Sequence, residues 1–271
     1  MPTRRQSLRN IKLNDCNAPH SGLWLDKFIV EQARSNKEAR KTLVSEVSGI
    51  RVPQLYGQVY ERWLRLLSSF KSSGYAVVRS EATVSGRMLL GTGNESVLET
   101  AMTLHRTYGV PYIPGSALKG LAANFAQQYC GADWKKTSRN YKIVFGNTAE
   151  SGCIIFFDAL LIALVGETPL RRDVLTPHHG DYYSGKVDNA TGNLLPPADW
   201  DDPKPVHFLS ATGSYLIALA ASTGGEDWLK AVMEILKNAL NELGIGAKTS
   251  SGYGRMSLNV NSNEVTNDGS I

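Results

Sequence analysis

The chain of 271 residues has few cysteines, and they are far apart. Cys16, Cys130 and Cys153 form no CxxC pair, so their spacing supports neither a zinc site nor a disulfide framework, and we expect buried thiols. The longest apolar run, CIIFFDALLIALVG, is too short to cross a membrane and contains Asp158. The polar start MPTRRQSLRN lacks the apolar segment of a signal peptide. We therefore expect a cytoplasmic protein without a membrane partner.

Motifs of several enzyme classes are also missing. No serine lies in a GxSxG elbow, and the glycines of GTGNESVLETAMTLHRTYG lack the spacing of a dinucleotide-binding fingerprint. An alanine separates glycine from Lys248 in GAKTSS, which excludes a Walker A loop. We expect no cofactor and no bound metal.

The charge balance is modest. A net charge of +4 permits an anionic partner without requiring one. Basic residues cluster near the start, at Arg4, Arg5, Arg9 and Lys12. This basic arm either contacts a polyanion or is a solvated tail.

Hydrophobic periodicity predicts seven elements. In chain order they are a helix from Leu55 to Phe70, a strand over 75–90, a helix from 115 to Tyr129, a strand over 153–164, the strand SYLIALAAS, a helix from about Trp228 to Leu243 and the strand GRMSLNV. From residue 75 onward the order is βαββαβ, which predicts an α+β, ferredoxin-like sheet with two helices on one face. The other face would be free for a ligand.

The same reading divides the chain into three parts. Residues 1–74 form a basic arm and helical extension, and residues 262–271 form a polar tail. Residues 75–261 form the main domain, interrupted by an insertion over 165–213 that is rich in Pro, Gly, Asp and His. The insertion is too long for a plain loop.

The stretch PYIPGSALKGLAANFAQQY predicts a helix start with an unusual composition. Pro114 keeps the chain out of helix before residue 115, Gly115 or Ser116 can cap the helix, and the first-turn amides then point outward. Free amides beside Lys119 suit a phosphate. The same residues also fit an ordinary N-cap with a solvated lysine.

The stretch LGIGAKTSSGYGRM, residues 243–256, contains four glycines and no acid. Glycines such as Gly246 and Gly252 allow a ligand to approach the backbone closely. Tyr253 can stack on a base. Donors suited to phosphate oxygens are Lys248, Thr249, Ser250 and Arg255. The alternative is a helix C-cap followed by a flexible turn, although a C-cap requires one glycine rather than four.

The insertion begins with RRDVLTPHHGDYYSGK, residues 171–186, which leaves three uses open. It is a plain polar loop, or it contacts RNA, or His178, His179 and Asp181 form an acid–base site with the two tyrosines. Adjacent histidines in an extended chain point to opposite faces, so a shared metal ion is disfavoured. The candidate RNA contacts are Arg171, Arg172, His178, His179 and Tyr182.

In their order, these segments resemble the repeat-associated (RAMP) superfamily of CRISPR proteins. GTGNESVLETAMTLHRTYGVPYIPGSALKGLAANFA resembles the superfamily's characteristic segment, and GIGAKTSSGYGRM resembles its glycine-rich loop. Together with FFDALL, DVLTPHHGDYY and PVHFLSATGSYLIAL, they are similar to the sixth-subunit family of the type III-B, or Cmr, interference complexes. The resemblance spans residues 75–258.

The resemblance implies an RRM-like core in an RNA-guided complex. The subunit would lie near the 3′ end of the guide RNA, help to end the filament of backbone subunits, and leave target cutting to another subunit. Its partners would be the CRISPR guide RNA, the target RNA, the backbone subunits and the neighbouring RAMP subunit. The aromatic pair on the sheet face of a standard RRM is not evident in this sequence.

The resemblance also implies which residues contact RNA. In the segments that match it, these are Gly115, Ser116, Lys119, Gly246, Lys248, Thr249, Ser250, Gly252 and Tyr253. The insertion over 171–186 would be similar to the thumb-like element that distorts the duplex of guide and target.

Two rival functions remain at this stage. One is a metal-independent, guide-processing endoribonuclease of the same superfamily, using His178 or His179 with Tyr182 and a lysine. The other is a free-standing RNA-binding module.

Overall fold

The computed structural model describes residues 4–31, 37–163, 165–177, 179–188, 191–201, 203, 205–222 and 224–259. Its α-helices are α1 (Ser21–Lys27), α2 (Lys37–Ser48), α3 (Gln54–Ser72), α4 (Gly115–Tyr129), α5 (Arg139–Phe145), α6 (Gly180–Tyr183) and α7 (Glu226–Glu242). Its strands are β1 (Ala76–Val84), β2 (Tyr112–Ile113), β3 (Ile154–Phe156), β4 (Ala159–Ile162), β5 (Leu170–Leu175), β6 (Val206–Ala211), β7 (Ser214–Ala221) and β8 (Met256–Asn259). His178 and the expected tail, 262–271, lie outside the described residues.

The main sheet is antiparallel and has β7 at its centre. The strand order is β2-β4-β7-β1-β8, and β3 pairs with β7 beyond the end of β4. Residues 215–221 of β7 are all buried. This strand reads as one continuous apolar run because both of its faces are covered. The architecture is α+β.

One face of the sheet carries the larger hydrophobic core. Tyr215 and Ile217 of β7 belong to the same buried cluster as Leu118 of α4 and Leu236 of α7. Side chains from the N-terminal helices, including Val44 of α2, extend this cluster without a break. The periodic apolar faces predicted for α4 and α7 are confirmed.

The opposite face of the sheet is not free, contrary to the expectation from sequence. Leu67 of α3 packs with Leu216 and Ala218 of β7 in a second apolar cluster. Trp63 of α3 meets Phe157 edge to face, with ring centroids 5.4 Å apart. Since α3 covers β7, bases cannot stack on the middle of this sheet. Sequence reasoning predicted the helix but assigned it to the N-terminal extension, outside the main domain, and so left this face of the sheet free.

The expected strand over 153–164 is two short strands. The chain leaves the sheet at Phe157 and Asp158, between β3 and β4. This break contacts the start of α4 through Asp158.

The insertion has a two-stranded sheet at its base. Strands β5 and β6 pair antiparallel along their whole length, from Leu170↔Ala211 to Leu175↔Val206. The short helix α6 lies in the segment between them. We use the term "insertion tip" for the described residues between 176 and 205.

The three cysteines are half-buried thiols rather than fully buried ones. Burial raises the pKa of Cys130 and of Cys153. Across the part of the chain that the structure describes, no helix combines the length and the apolar character needed to span a membrane.

Candidate functional site

A cleft of about 380 Å³ lies between the first half of α4 and the loop that follows α7. From α4 it is lined by Ala117, Gly120 and Asn124, and from the loop by Ile245, Gly246 and Thr249. The two stretches selected in the sequence are more than 100 residues apart along the chain. They meet because α4 and α7 lie side by side on one face of the sheet.

The start of α4 is held by the protein's own carboxylate. Pro114, rather than Gly115 or Ser116, occupies the N-cap position. The Gly115 amide donates to Asp158 Oδ1 at 2.7 Å, so the expectation that this amide is free for a phosphate is wrong. A Cβ at position 115 would collide with the carbonyl oxygen of Phe156, which explains the glycine. Gly115 is therefore fixed by the break between β3 and β4.

The other predicted contacts on α4, Ser116 and Lys119, are next to Ala117 and Gly120 in sequence but are not among the residues that line the cleft. Ser116 is exposed and Lys119 is half-buried on the first turns of the helix. No hydrogen bond or ion pair of the Lys119 ammonium is found within the described residues. α4 has no acidic residue in its first turn, so no carboxylate there competes for that lysine.

The glycines of the glycine-rich loop have more than one structural explanation. Gly244 ends α7 with φ of 77°, as a C-cap glycine does. Gly246, with φ of 91°, crosses the Leu89 backbone so closely that a Cβ would collide with the Leu89 carbonyl oxygen. Gly254 packs in the same way against Ile245. Only Gly252 combines a positive φ, 87°, with open space. The C-cap alternative thus accounts for one glycine, and close passage of the chain accounts for two more.

Lys248 holds the loop in an unusual backbone conformation. It adopts φ of 59°, which costs a residue with a side chain about 1–2 kcal/mol. Its carbonyl accepts from the amides of Ser251 at 3.0 Å and Tyr253 at 3.3 Å, and these bonds maintain the conformation. Thr249 and Ser250 follow in a 3₁₀ turn, half-buried and exposed respectively. Like Lys119, the Lys248 ammonium has no polar partner in the described part of the chain.

Tyr253 is tied to the insertion rather than presented to solvent. Its hydroxyl donates to Asp173 Oδ2 on β5 at 2.8 Å. Burial, followed by this hydrogen bond, raises the pKa of Tyr253 to about 12. Arg87 Nε lies 3.9 Å from the same carboxylate oxygen, and Ser210 Oγ donates to it at 3.3 Å. Tyr253 thus anchors the loop, and sequence reasoning missed Asp173 and Arg87 because neither stands in a recognisable motif.

The predicted arginines also have partners within the chain. Arg255 Nη1 donates to the Asn241 carbonyl at 2.7 Å and so braces the last turn of α7. Arg171 turns back onto the Thr168 carbonyl and onto the Leu170 carbonyl at 3.0 Å. Arg172 is exposed and reaches Ser45 Oγ of α2 at 3.4 Å. Both insertion arginines therefore lie at the base of the hairpin, away from the insertion tip.

The insertion tip contains a paired histidine and exposed aromatic rings. His179 Nδ1 lies 2.9 Å from Asp201 Oδ2, and this hydrogen bond lowers the pKa of Asp201. Asp181 accepts from Lys186 at 2.8 Å, which raises the pKa of that lysine. Tyr182 is 41% exposed and Trp200 is 87% exposed, so the tip presents aromatic surface to a partner.

The described residues form neither a ligand set for a metal nor an assembled acid–base site, and His178 lies outside them. Within the described ranges, no three His, Cys, Asp or Glu side chains lie close enough together to hold a metal ion. His179 and Asp181, the described members of the acid–base hypothesis, each pair with a different side chain, Asp201 and Lys186.

Comparison with known proteins identifies the family. The model of the RAMP superfamily matches residues 81–257. A protein of Pyrococcus furiosus described as "CRISPR system Cmr subunit Cmr6" is 28% identical over 287 residues, which cover 86% of this chain and 83% of that protein. The "CRISPR system CMR subunit Cmr6" of Saccharolobus solfataricus is 24% identical over 244 residues, covering 86% and 76%.

A solved structure shares the fold. One chain of the cryo-EM structure of the type III-B Cmr-beta bound to cognate target RNA superposes with a TM-score of 0.63, at 22% identity, over 81% of this chain and 70% of that chain. The superfamily match, which includes α4, the insertion and the glycine-rich loop, covers well over half of the sequence. This chain belongs to the RAMP superfamily and is similar to its Cmr6 members.

Proposed function

We propose that this chain is an RNA-binding assembly subunit of a type III-B, or Cmr, CRISPR effector complex and is not itself catalytic. It grips the backbone of the guide RNA towards the 3′ end and ends the filament of backbone subunits. The observation that carries the proposal is the cleft, because it joins the α4 stretch and the glycine-rich loop in one place. Their two lysines without polar partners lie in the stretches that form it.

The sheet supports the family's RRM-like core. The strands β4, β7, β1 and β8 are adjacent in that order, with α4 between β1 and β3 in sequence and α7 between β7 and β8. This arrangement supports a ferredoxin-like βαββαβ unit, in which we assign β3 and β4 together to the second strand.

The chemistry of the cleft suits a phosphodiester backbone rather than base edges. Thr249 lines the cleft, and the two stretches that form it also contain the cations Lys119 and Lys248 and the hydroxyl donors Ser116 and Ser250. A subunit that must hold any guide sequence needs contacts of this kind, since base pairing selects the target. The covering of the sheet by α3 removes the usual stacking platform of an RRM, which supports the cleft as a contact for the guide RNA.

Partner proteins and the target RNA follow from the relatives. The similar proteins are named as Cmr subunits, and the solved complex is described as bound to cognate target RNA. We assign the insertion a thumb-like role next to the duplex, in which the exposed Tyr182 and its neighbours at the insertion tip contact RNA. At its base, Arg172 contacts Ser45 of α2, and Arg171 bonds to the carbonyls of Thr168 and Leu170 just before it.

The test is reconstitution with the other Cmr subunits and a guide RNA, followed by crosslinking of labelled RNA to peptides. The proposal expects incorporation into the complex and crosslinks from the 3′ side of the guide to peptides containing Lys119 and Lys248. Absence of the chain from the complex would contradict it.

The rival endoribonuclease is tested with the isolated full-length chain. Incubation with repeat RNA should give no specific cleavage without added metal. Specific cleavage that is lost in His178→Ala or His179→Ala would overturn the non-catalytic assignment.

A further inference from the structure

The surface beyond the C-terminal end of α4 is strongly basic. Residues 131–145 contain four cations and a single acid, Asp133. All four cations are exposed. We name them the basic surface: Lys135, Lys136, Arg139 and Lys142. Lys135 Nζ donates to the Gln127 carbonyl at 2.8 Å, which fixes the start of this surface against the end of α4.

The placement of these charges does not serve the stability of the fold. α5 begins with Arg139 and has no acid in its first turn, although the positive end of a helix favours acids. Among the residues that the structure describes, Lys136, Arg139 and Lys142 form no ion pair. Four neighbouring cations repel one another, and this repulsion lowers the stability of the folded chain. An anionic partner would relieve the repulsion.

An uncharged face of α4 connects the cleft with the basic surface. Apart from Tyr129, its last residue, the exposed positions along α4 recur at helical spacing and carry no charge: Ser116, Gly120, Asn124, Gln127 and Gln128. Gly120 and Asn124 also line the cleft. At about 1.5 Å per residue, α4 extends over roughly 18 Å from Ala117 in the cleft to its last residue, Tyr129. A ligand that touches both ends must therefore be extended.

Nothing in the described part of the chain explains the glycine at position 120. Glycine disfavours the middle of a helix relative to alanine. A Cβ at position 120 would meet nothing within 4 Å, so packing does not require its absence. Gly115, by contrast, is required by the Phe156 carbonyl. The missing side chain at Gly120 leaves room for a ligand to lie against the helix in the cleft.

We propose that single-stranded RNA held in the cleft continues along the exposed face of α4, over Gly120, and onto the basic surface. This inference rests on the proposed function and extends its binding site. A polyanion fits because charge is needed at both ends of the path, and a sugar–phosphate chain can pass close to a helix that carries no side chain at the crossing point. RNA is favoured over an acidic protein because the cleft at one end of the path carries phosphate-type donors.

The first test compares RNA lengths. The full-length chain and the triple variant Lys136→Gln, Arg139→Gln, Lys142→Gln are titrated with a short single strand that fills only the cleft and with a longer one. The variant should bind the short strand as well as the original chain does. It should bind the longer strand about tenfold or more weakly, with a salt slope lower by roughly 2, at about 0.7 per neutralised phosphate.

Other results distinguish failure of the RNA path along α4 from failure of RNA binding in the cleft. An unchanged slope with the longer strand, while Lys119→Ala with Lys248→Ala still weakens binding, would overturn the path and leave the cleft. No effect of either set of variants would remove the proposed function as well. If the triple variant kept its RNA affinity but no longer joined the Cmr subunits, the basic surface would bind an acidic protein, and the RNA path would be overturned.

The second test uses Gly120→Ala and measures both thermal stability and RNA binding. The two quantities should change in opposite directions. Alanine should raise the melting temperature by about 2–4 °C through helix propensity. It should weaken RNA binding several-fold because the added methyl group occupies the path. Gly57→Ala in α3 is the matched control, since its Cβ would make only an ordinary contact with Val165 at 3.6 Å. That variant should gain stability and keep its RNA affinity. A Gly120→Ala chain that gained stability and bound RNA unchanged would overturn the crossing at Gly120.

Discussion

Helices α4 and α7 lie on the same face of one sheet, yet their exposed ends are built differently. α7 begins with Glu226 and Asp227, whose charges suit the positive end of a helix. The first turn of α4 has no acid of its own and instead receives the Asp158 carboxylate from outside the helix, and Gly120 weakens its middle. Their buried faces are alike, since both join the main core. The exposed residues of α7 thus suit the stability of their helix, whereas Gly120 of α4 does not, and we assign this difference to RNA.

The largest expected effect concerns what the two helices share. Leu118 of α4 and Leu236 of α7 are both 0% exposed. Each change to alanine, Leu118→Ala or Leu236→Ala, should lower the free energy of unfolding by about 2–5 kcal/mol, because it leaves a cavity in the same core. Denaturant unfolding measures this. A small loss for one helix and a large loss for the other would break the claim that their buried faces are equivalent.

A smaller effect is expected at the loop that connects α7 to the cleft. Tyr253→Phe removes the hydrogen bond to Asp173 and should cost about 1 kcal/mol near neutral pH. The pKa of Tyr253 is about 12 when folded and near 10 when unfolded. Folding therefore favours the protonated hydroxyl, and its contribution is complete below about pH 10 and is lost as the pH rises through about 12.

The measurement is the difference in unfolding free energy between the original chain and Tyr253→Phe at several pH values. This difference should shrink between about pH 10 and pH 12. Tyr129→Phe, at a side chain that is 58% exposed, is the control and should change stability little at neutral pH. A difference that stayed constant through this range would mean that the hydroxyl bond contributes nothing.

The smallest effect concerns the matched second positions of the two helices. Ser116 and Asp227 each follow the first residue of their helix. Ser116→Asp should stabilise the chain by about 0.3–1 kcal/mol and weaken RNA binding, because a carboxylate then competes with phosphate. Asp227→Ser should cost a similar amount and leave RNA binding unchanged. Thermal unfolding and RNA titration of both variants check this, and equal effects on RNA binding would remove the contrast between the helices.

Sequence reasoning succeeded where the pattern is local. The helices α3, α4 and α7 and the strand β7 were predicted at nearly their observed positions, because each buries a periodic or continuous apolar face. The two halves of the cleft were found for a similar reason, since each has a distinctive local composition. Their meeting depends on the sheet order, and no short window of sequence contains that information.

Sequence reasoning failed to predict contacts between residues that are distant in sequence. The Asp158 carboxylate lies 43 residues from the Gly115 amide that it accepts from, and Asp173 lies 80 residues from Tyr253. The packing of α3 on the sheet was missed because an amphipathic helix shows which face it buries but not against what. Three loop glycines interpreted as openings for a ligand are explained by a helix end and by close backbone passage.

The most direct test of the central claim is the salt dependence of single-stranded RNA binding by the full-length chain and by its Lys119→Ala, Lys248→Ala variant. The control is Lys41→Ala with Lys237→Ala, which removes the same charge from lysines that are paired with Glu38 and Glu234. We predict that the Lys119 and Lys248 variant binds about tenfold or more weakly, with a slope lower by roughly 1.4 and an unchanged melting temperature. A slope equal to that of the control variant would contradict the assignment of the cleft between α4 and the glycine-rich loop to RNA.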